Sequence, residues 1–525
     1  MWILIAITTF ICHGAILFSN VFGIDTEVAA LGLDDYFAQG RQGIMWLRSI
    51  LGLSPFNLYL AEGLTFFLML FVPITYYFFF EISAGSFAKP TFFLYCIIFV
   101  VSPFWVAQIY FLSQSAAVLF GLLLIPVVLY LFESGMNTTS GLRVIKLICG
   151  IILFQFVSST YQVNLLVYVA VACTVFVLSE INNPGEPSKI IRRVLIHGLL
   201  MLVGFIIYFA VTKLFFFSNA SYLTQQLQWP AIGISKGIAN LKAILKFSLT
   251  GYGLYGFMYW PIVLLAMLCS LVNGICRKKK TLSMIMLLIF EVFLSAIPFF
   301  FPILFGSEVL PRMRYSLPIV EACFILVLSR EFSSLFNSAS CKKKNVGKIL
   351  LIAFSIALYA DIMRLASDSI SMYYTDEIRF EQEKNIASDL KKDISNYLSR
   401  NGLSADKRNN LLFLGKVNIS YNDMCLLSEA TIGSSALNWD YNMMSRGRLY
   451  YFMDVVGYPI GPANHYSEGS VAAFKYYFDD LFGAKVDSMP CYPNDGYIEY
   501  MEDPESGLNY LIVKLGNDWK RENIR

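Results

Sequence analysis

Two carboxylates stand two residues apart in Gly23-Ile24-Asp25-Thr26-Glu27, where the first apolar run of the chain ends. Acids at a membrane boundary are costly unless they have a use. One use is general-base catalysis, in which a carboxylate takes the proton of a hydroxyl as its oxygen attacks carbon. If the departing group is a phosphate, the site also needs a cation, best a guanidinium that can hold two oxygens together. Asp34-Asp35 and Gly40-Arg41 follow in the same loop, and Pro311-Arg312-Met313-Arg314 lies beside a late apolar run. An acid on the first loop and an arginine on a later one could therefore meet over a groove open to the bilayer. Asp25-x-Glu27 also has the form of a metal-binding acidic doublet, which suits pyrophosphate donors. A single phosphate as leaving group would have less need of a cation, and on that footing neither a metal nor any other cofactor is expected.

The elements that must position these residues are membrane helices. The chain has 525 residues, 57% hydrophobic and 16% aromatic, with only 15% charged, where soluble chains carry roughly 25%. Mean hydropathy is +0.59. A net charge of +3 gives no support to nucleic-acid binding. The amino-terminal run lacks a basic leader and a small-residue cleavage site, so no cleaved signal peptide is expected. Apolar runs predict about eleven spans. They lie near residues 2–19, 58–80, 91–110, 116–132, 144–158, 164–178, 194–217, 255–275, 282–304, 317–328 and 349–365. The fifth and sixth are joined by a tight turn at Ser159-Thr160-Tyr161-Gln162. If the amino terminus is cytoplasmic, the densest basic clusters share its side: Arg143 with Lys146, Lys189 with Arg192 and Arg193, Arg277 to Lys280, and Lys342 to Lys344 with Lys348. That is the positive-inside pattern. The acidic loop, the segment around Arg312 and the tail then fall outside the cytoplasm. Lys236, Lys242 and Lys246 break the pattern and suggest an interfacial helix.

The predicted fold class is an α-helical polytopic membrane protein with a C-terminal α/β extracytoplasmic domain. Residues 1–366 are expected to form the membrane domain, with a catalytic first external loop over 20–57, and residues 367–525 a domain outside the cytoplasm. In the tail, 376–397 and 467–482 read as helices and 411–414, 497–501 and 510–515 as strands. Cys425 and Cys491 either form a disulfide or stay as thiols. Only His13, His197 and His465 occur, which excludes a histidine-rich site.

After the acidic loop, Ile44, Trp46, Leu47, Ile50 and Leu51 recur at helix-like spacing within 43–53, as in an amphipathic element lying at the interface. Gly23-Ile24-Asp25-Thr26-Glu27 with Gly40-Arg41 resembles the phage-type, serotype-converting O-antigen glucosyltransferases. So do Ser102-Pro103-Phe104 leading to Gln108 and Ser113, Tyr161-Gln162 with Asn164, and Pro311-Arg312. The likeness covers most of the membrane part and none of the tail. It implies an inverting, multi-span (GT-C) enzyme of the bacterial inner membrane with its active site on the periplasmic side. It also implies a sugar donor of the undecaprenyl-phosphate glucose type and a lipid-linked polysaccharide acceptor. Carried over, Asp25 is the first choice of base and Glu27 the second. Arg41 and Arg312 would meet donor phosphate or sugar, and Asp34, Asp35, Gln108, Tyr161, Gln162 and Arg314 complete the candidate substrate-binding set.

Each residue also has a plainer reading. Asp25 and Glu27 could be solvated loop charges, and Asp34 and Asp35 favour capping or solvation. Arg41 and Arg48 could both reach lipid head groups, the better reading for Arg48, as for Arg314; for Arg312 anchoring and phosphate binding are equally supported. Gln108 and Gln114 fit a polar cavity or plain interhelical bonds. The aromatic runs 76–80, 215–217 and 299–301 read as lipid-facing or interfacial belt residues rather than a sugar-stacking platform. A transporter of lipid-linked saccharides is the alternative function, but it should show repeat symmetry between halves, and none is evident.

Overall fold

The computed structural model describes residues 1–19, 21, 23, 25–33, 36, 39–139, 141–182, 187–215, 227–277, 280–338, 341–403, 410–427, 435–437, 447–460, 481–502 and 509–519. Asp34 and Asp35 lie outside the described residues, as does most of the helix predicted over 467–482.

Apolar segments become helices because, away from water, each peptide group must be satisfied within its own segment. In order these are α1 (Trp2–His13), α2 (Thr26–Ala30), α3 (Gln42–Ile50), α4 (Leu58–Ala84), α5 (Lys89–Val101), α6 (Pro103–Ile109), α7 (Leu112–Asn137), α8 (Leu142–Thr160), α9 (Asn164–Asn182), α10 (Pro187–Phe215), α11 (Trp229–Thr250), α12 (Tyr259–Cys276), α13 (Thr281–Ala296), α14 (Phe300–Phe305), α15 (Ser316–Ser338) and α16 (Cys341–Arg400). Seven helical stretches are long and apolar enough to cross a membrane, or eight if α5 and α6 count as one span. That fits a membrane protein.

The third predicted span is not one straight helix. It breaks at Ser102-Pro103, where α5 and α6 meet at 53°. Proline has no N–H to donate and pushes the residue before it out of helical geometry; Ser102 is extended at φ −68°, ψ 130°. The first, tenth and eleventh predicted spans are helical but fall outside the seven. Trp2–Leu17 is short. Helix α15 carries Glu321, Arg330 and Glu331 and is buried along 316–328. The eleventh is part of the 60-residue α16. The aromatic run 76–80, expected to face lipid, packs inward except for Phe78. Exposed apolar surface lies on α10, through Leu195, Leu199, Leu202 and Phe209.

The chain divides into two compact units. One comprises Met1–Asn20 and Asp35–Tyr373, the other Val21–Asp34 and Tyr374–Arg525. The second unit contains β1 (Asn410–Leu414), α17 (Gly447–Val455), β2 (Ile498–Glu502) and β3 (Asn509–Lys514). Their order is β1-β3-β2, with β1 parallel and β2 antiparallel to β3; Leu412 pairs with Ile512, and Ile498 with Val513. Alternation along the strands gives two apolar faces. Leu411, Phe413, Leu511 and Val513 pack with Leu390, Ile394 and Leu398 of α16 and with Leu449 and Phe452 of α17. Leu412, Leu414, Tyr510 and Ile512 pack with Phe482 and Val486. Cys425 and Cys491 are free thiols.

Candidate functional site

In the first unit the polar residues gather where helices begin. Gly40 has φ +69°, a left-handed turn that favours glycine, and a Cβ there would stand 2.9 Å from the Tyr208 hydroxyl. That turn delivers Arg41 to the N-cap of α3. Gly43 then lets α3 rest on the end of α8, since a Cβ would meet Ser159 Oγ at 2.5 Å and its backbone at 2.9 Å. The Arg41 guanidinium reaches Gln114 Oε1 at 3.3 Å and Gln162 Oε1 at 3.5 Å, both long contacts that leave its donors unsaturated. Gln114 is the third residue of α7, and Gln162 stands two residues before α9. Three helix N-termini, each the positive end of a dipole, are therefore tied together at one guanidinium. Gln162 also donates to the Tyr208 hydroxyl at 3.0 Å, and Tyr208 donates to the Gly40 carbonyl at 2.9 Å.

An aromatic column supports the charge. Phe99, Trp105, Tyr315 and Tyr161 stack in succession, with centroids 5.2, 5.4 and 6.1 Å apart. Arg41 sits over the Tyr161 ring at 4.7 Å, a cation–π seat. Arg312 sits over Phe111 at 4.1 Å, and Phe111 is the N-cap of α7. The two guanidiniums thus flank the same first turn of α7. Among the described residues no carboxylate pairs with either.

Gln108, on α6, is fully buried, and neither amide atom has a hydrogen-bond partner among the described residues. Leaving such an amide unsatisfied costs about 1–3 kcal/mol. Arg314 is placed differently from its neighbour: it is buried, ion-paired to Glu308 at 3.3 Å and bonded to the Tyr255 hydroxyl. It is no head-group anchor. Neither is Arg48, which is buried over Phe56.

In the second unit, Asp25 has φ 60°, ψ 3°, the single positive φ outside glycine among the described residues. Aspartate is one of the few side chains that tolerate this region. Asp25 is half-buried at the N-cap of α2, and its carboxylate makes no hydrogen bond among the described residues. Glu27 is its opposite. It is buried, and its carboxylate accepts from Arg448 Nε of α17. Arg448 also donates to the Ser435 carbonyl at 3.3 Å, and Ser435 Oγ donates to Glu383 at 2.5 Å. On α16, Arg379 bonds Asp376 at 2.7 Å and also Glu383. Burial pushes the Asp376 and Glu383 carboxyls above the ordinary carboxylate range, against the pull of Arg379. Burial likewise pushes the Tyr421 hydroxyl up to about 12.

Among the described residues, no three His, Cys, Asp or Glu side chains come together to hold a metal ion. Tyr208, Arg448 and the Asp376–Arg379–Glu383 cluster belong to none of the motifs named from the sequence. Spacings of three and four residues around Arg379 were legible as a helical ion-pair pattern. Nothing local marked Arg448 as the partner of a residue 421 positions away.

A family profile described as glucosyl transferase GtrII matches residues 14–328. That stretch contains every candidate site residue named from the sequence and stops short of the second unit's sheet. No curated protein and no solved structure matches the chain.

Proposed function

From the premise that the chain belongs to the GtrII glucosyl transferase family, we propose that it moves glucose or a related hexose from a polyprenyl-phosphate-linked donor to a lipid-linked O-antigen or similar surface polysaccharide. The reaction takes place at the periplasmic face of the bacterial inner membrane. The observation that carries this reading is the Arg41 guanidinium: seated on Tyr161, tied to three helix N-termini, and without a carboxylate among the described residues. A cation held in place with unsaturated donors suits a phosphate ester. Arg312, on Phe111, adds a second cation beside the same helix start.

The chemistry then follows. The acceptor hydroxyl attacks the anomeric carbon as the bond from that carbon to the phosphate oxygen breaks. Asp25 takes the hydroxyl proton, and the polyprenyl phosphate leaves with the bonding electrons. Attack opposite the leaving group inverts the anomeric centre. Asp25 is preferred to Glu27 as base because its carboxylate has no hydrogen-bond partner among the described residues, whereas Glu27 is committed to Arg448.

The test uses the full chain in proteoliposomes with polyprenyl-phosphate [14C]glucose and a lipid-linked acceptor. Transfer of label that is lost in both Arg41→Leu and Asp25→Asn, at normal protein level, is the expected result. Donor lipid that crosses the bilayer with no sugar transferred would replace the enzyme reading with transport.

A further inference from the structure

A five-residue helix such as α2 is too short to be stable alone, and the left-handed residue that starts it costs about 1–2 kcal/mol. Asp25 therefore keeps its conformation only because its neighbours in the second unit impose it. Before it, Val21 is buried in the apolar cluster of Phe380, Leu390, Leu449 and Phe452. After it, Thr26, Glu27 and Ala29 are buried, and Glu27 is ion-paired to Arg448. Removing either partner of that pair would leave an uncompensated charge in a buried place.

We propose that Arg448 is a positioning residue for sugar transfer: through its ion pair with Glu27 it fixes the left-handed turn that presents the Asp25 carboxylate. This rests on the reading of Asp25 as the base. Arg448 lies beyond the family-matched stretch, which ends at residue 328, so a residue outside that stretch would set the geometry of one inside it. The pair is itself braced. Arg448 holds the Ser435 carbonyl, Ser435 holds Glu383, and Glu383 shares Arg379 with Asp376. These are the charged groups linked to Glu27 among the described residues. Glu27 thus acts as a strut and Asp25 as the working acid.

The experiment compares Arg448→Met, Arg448→Lys, Glu27→Gln and the exchanged pair Glu27→Arg with Arg448→Glu, in the full chain, by kcat, donor KM and pH–rate profile, with melting measured alongside. Misplacing a catalytic group by about an ångström costs on the order of 10²-fold in rate, so Arg448→Met should lower kcat by about 10–100-fold with donor KM unchanged. It should also move the acid limb of the profile upward, because Glu27 is left as an uncompensated anion two residues from Asp25. Glu27→Gln leaves Arg448 cationic and should move that limb downward. Arg448→Lys and the exchanged pair should recover part of kcat. Opposite shifts are not expected from a merely structural pair, whose loss would scale all rates with the folded fraction. Wild-type kcat and an unmoved limb in Arg448→Met and Glu27→Gln, with Asp25→Asn inactive, would overturn the positioning role alone. Full activity of Asp25→Asn would overturn the base assignment and this proposal with it.

Discussion

Two pairs of arginines occupy the two units, and they are held in opposite ways. Arg41 and Arg312 rest on the faces of Tyr161 and Phe111, and no carboxylate among the described residues meets them. Arg379 and Arg448 are locked to Asp376, Glu383 and Glu27 inside the second unit. An aromatic face keeps a guanidinium in place without neutralising it, so its charge stays available to a ligand. A buried carboxylate fixes position by consuming the charge. The same side chain is therefore left charged and open on an aromatic face in one unit and spent on buried ion pairs in the other.

The sharpest way to break that contrast is to remove one arginine of each kind. Arg379→Met strands Asp376 and Glu383 in a buried site and should lower stability by about 3–5 kcal/mol, read by denaturant unfolding of the full chain. A loss below about 1 kcal/mol would mean that the cluster is not the brace it is taken to be. Arg41→Leu should leave the melting temperature unchanged while transfer falls about 10²–10³-fold, the scale for loss of one preorganised charge-stabilising group. If melting fell with activity, Arg41 would join the structural class.

Smaller effects sharpen the comparison. Gly43→Ala brings a Cβ to 2.9 Å from the Ser159 backbone, which should push α3 and its Arg41 cap away from α8. Overpacking of this kind costs about 1–3 kcal/mol, and donor KM should rise with it. Arg312→Lys keeps the charge but loses the planar contact with Phe111, about 0.5–1 kcal/mol at an exposed site; a rise of a few-fold in donor KM is expected, with kcat unchanged. The smallest effect is on pH. Asp376 and Glu383 have carboxyl pKa values raised by burial. The folded state thus holds protons that the unfolded chain releases in the ordinary carboxylate range. Their contribution to stability is greatest below that range and declines as pH rises through the raised folded values. Hydrogen exchange along 376–400 should accelerate over that window, and Glu383→Gln should flatten the dependence.

Much of this protein was legible before its fold. Apolar runs placed a helix at each predicted span, because the requirement to satisfy backbone groups away from water acts within one segment. The family likeness rested on short strings such as Gly40-Arg41 and Tyr161-Gln162, and these fall in one hydrogen-bonded cluster. The break at Ser102-Pro103 was written in the proline but masked by hydropathy, which counts side chains and ignores a missing N–H. The run 76–80 was misjudged because an apolar residue is equally content against lipid or against another helix. Only the tertiary structure separated Asp25 from Glu27. Both are acids on one short loop, and their difference lies in a partner supplied from residue 448. Hydropathy and turn preference are local properties that a sequence carries in itself; which buried charge meets which is settled only when distant segments fold together.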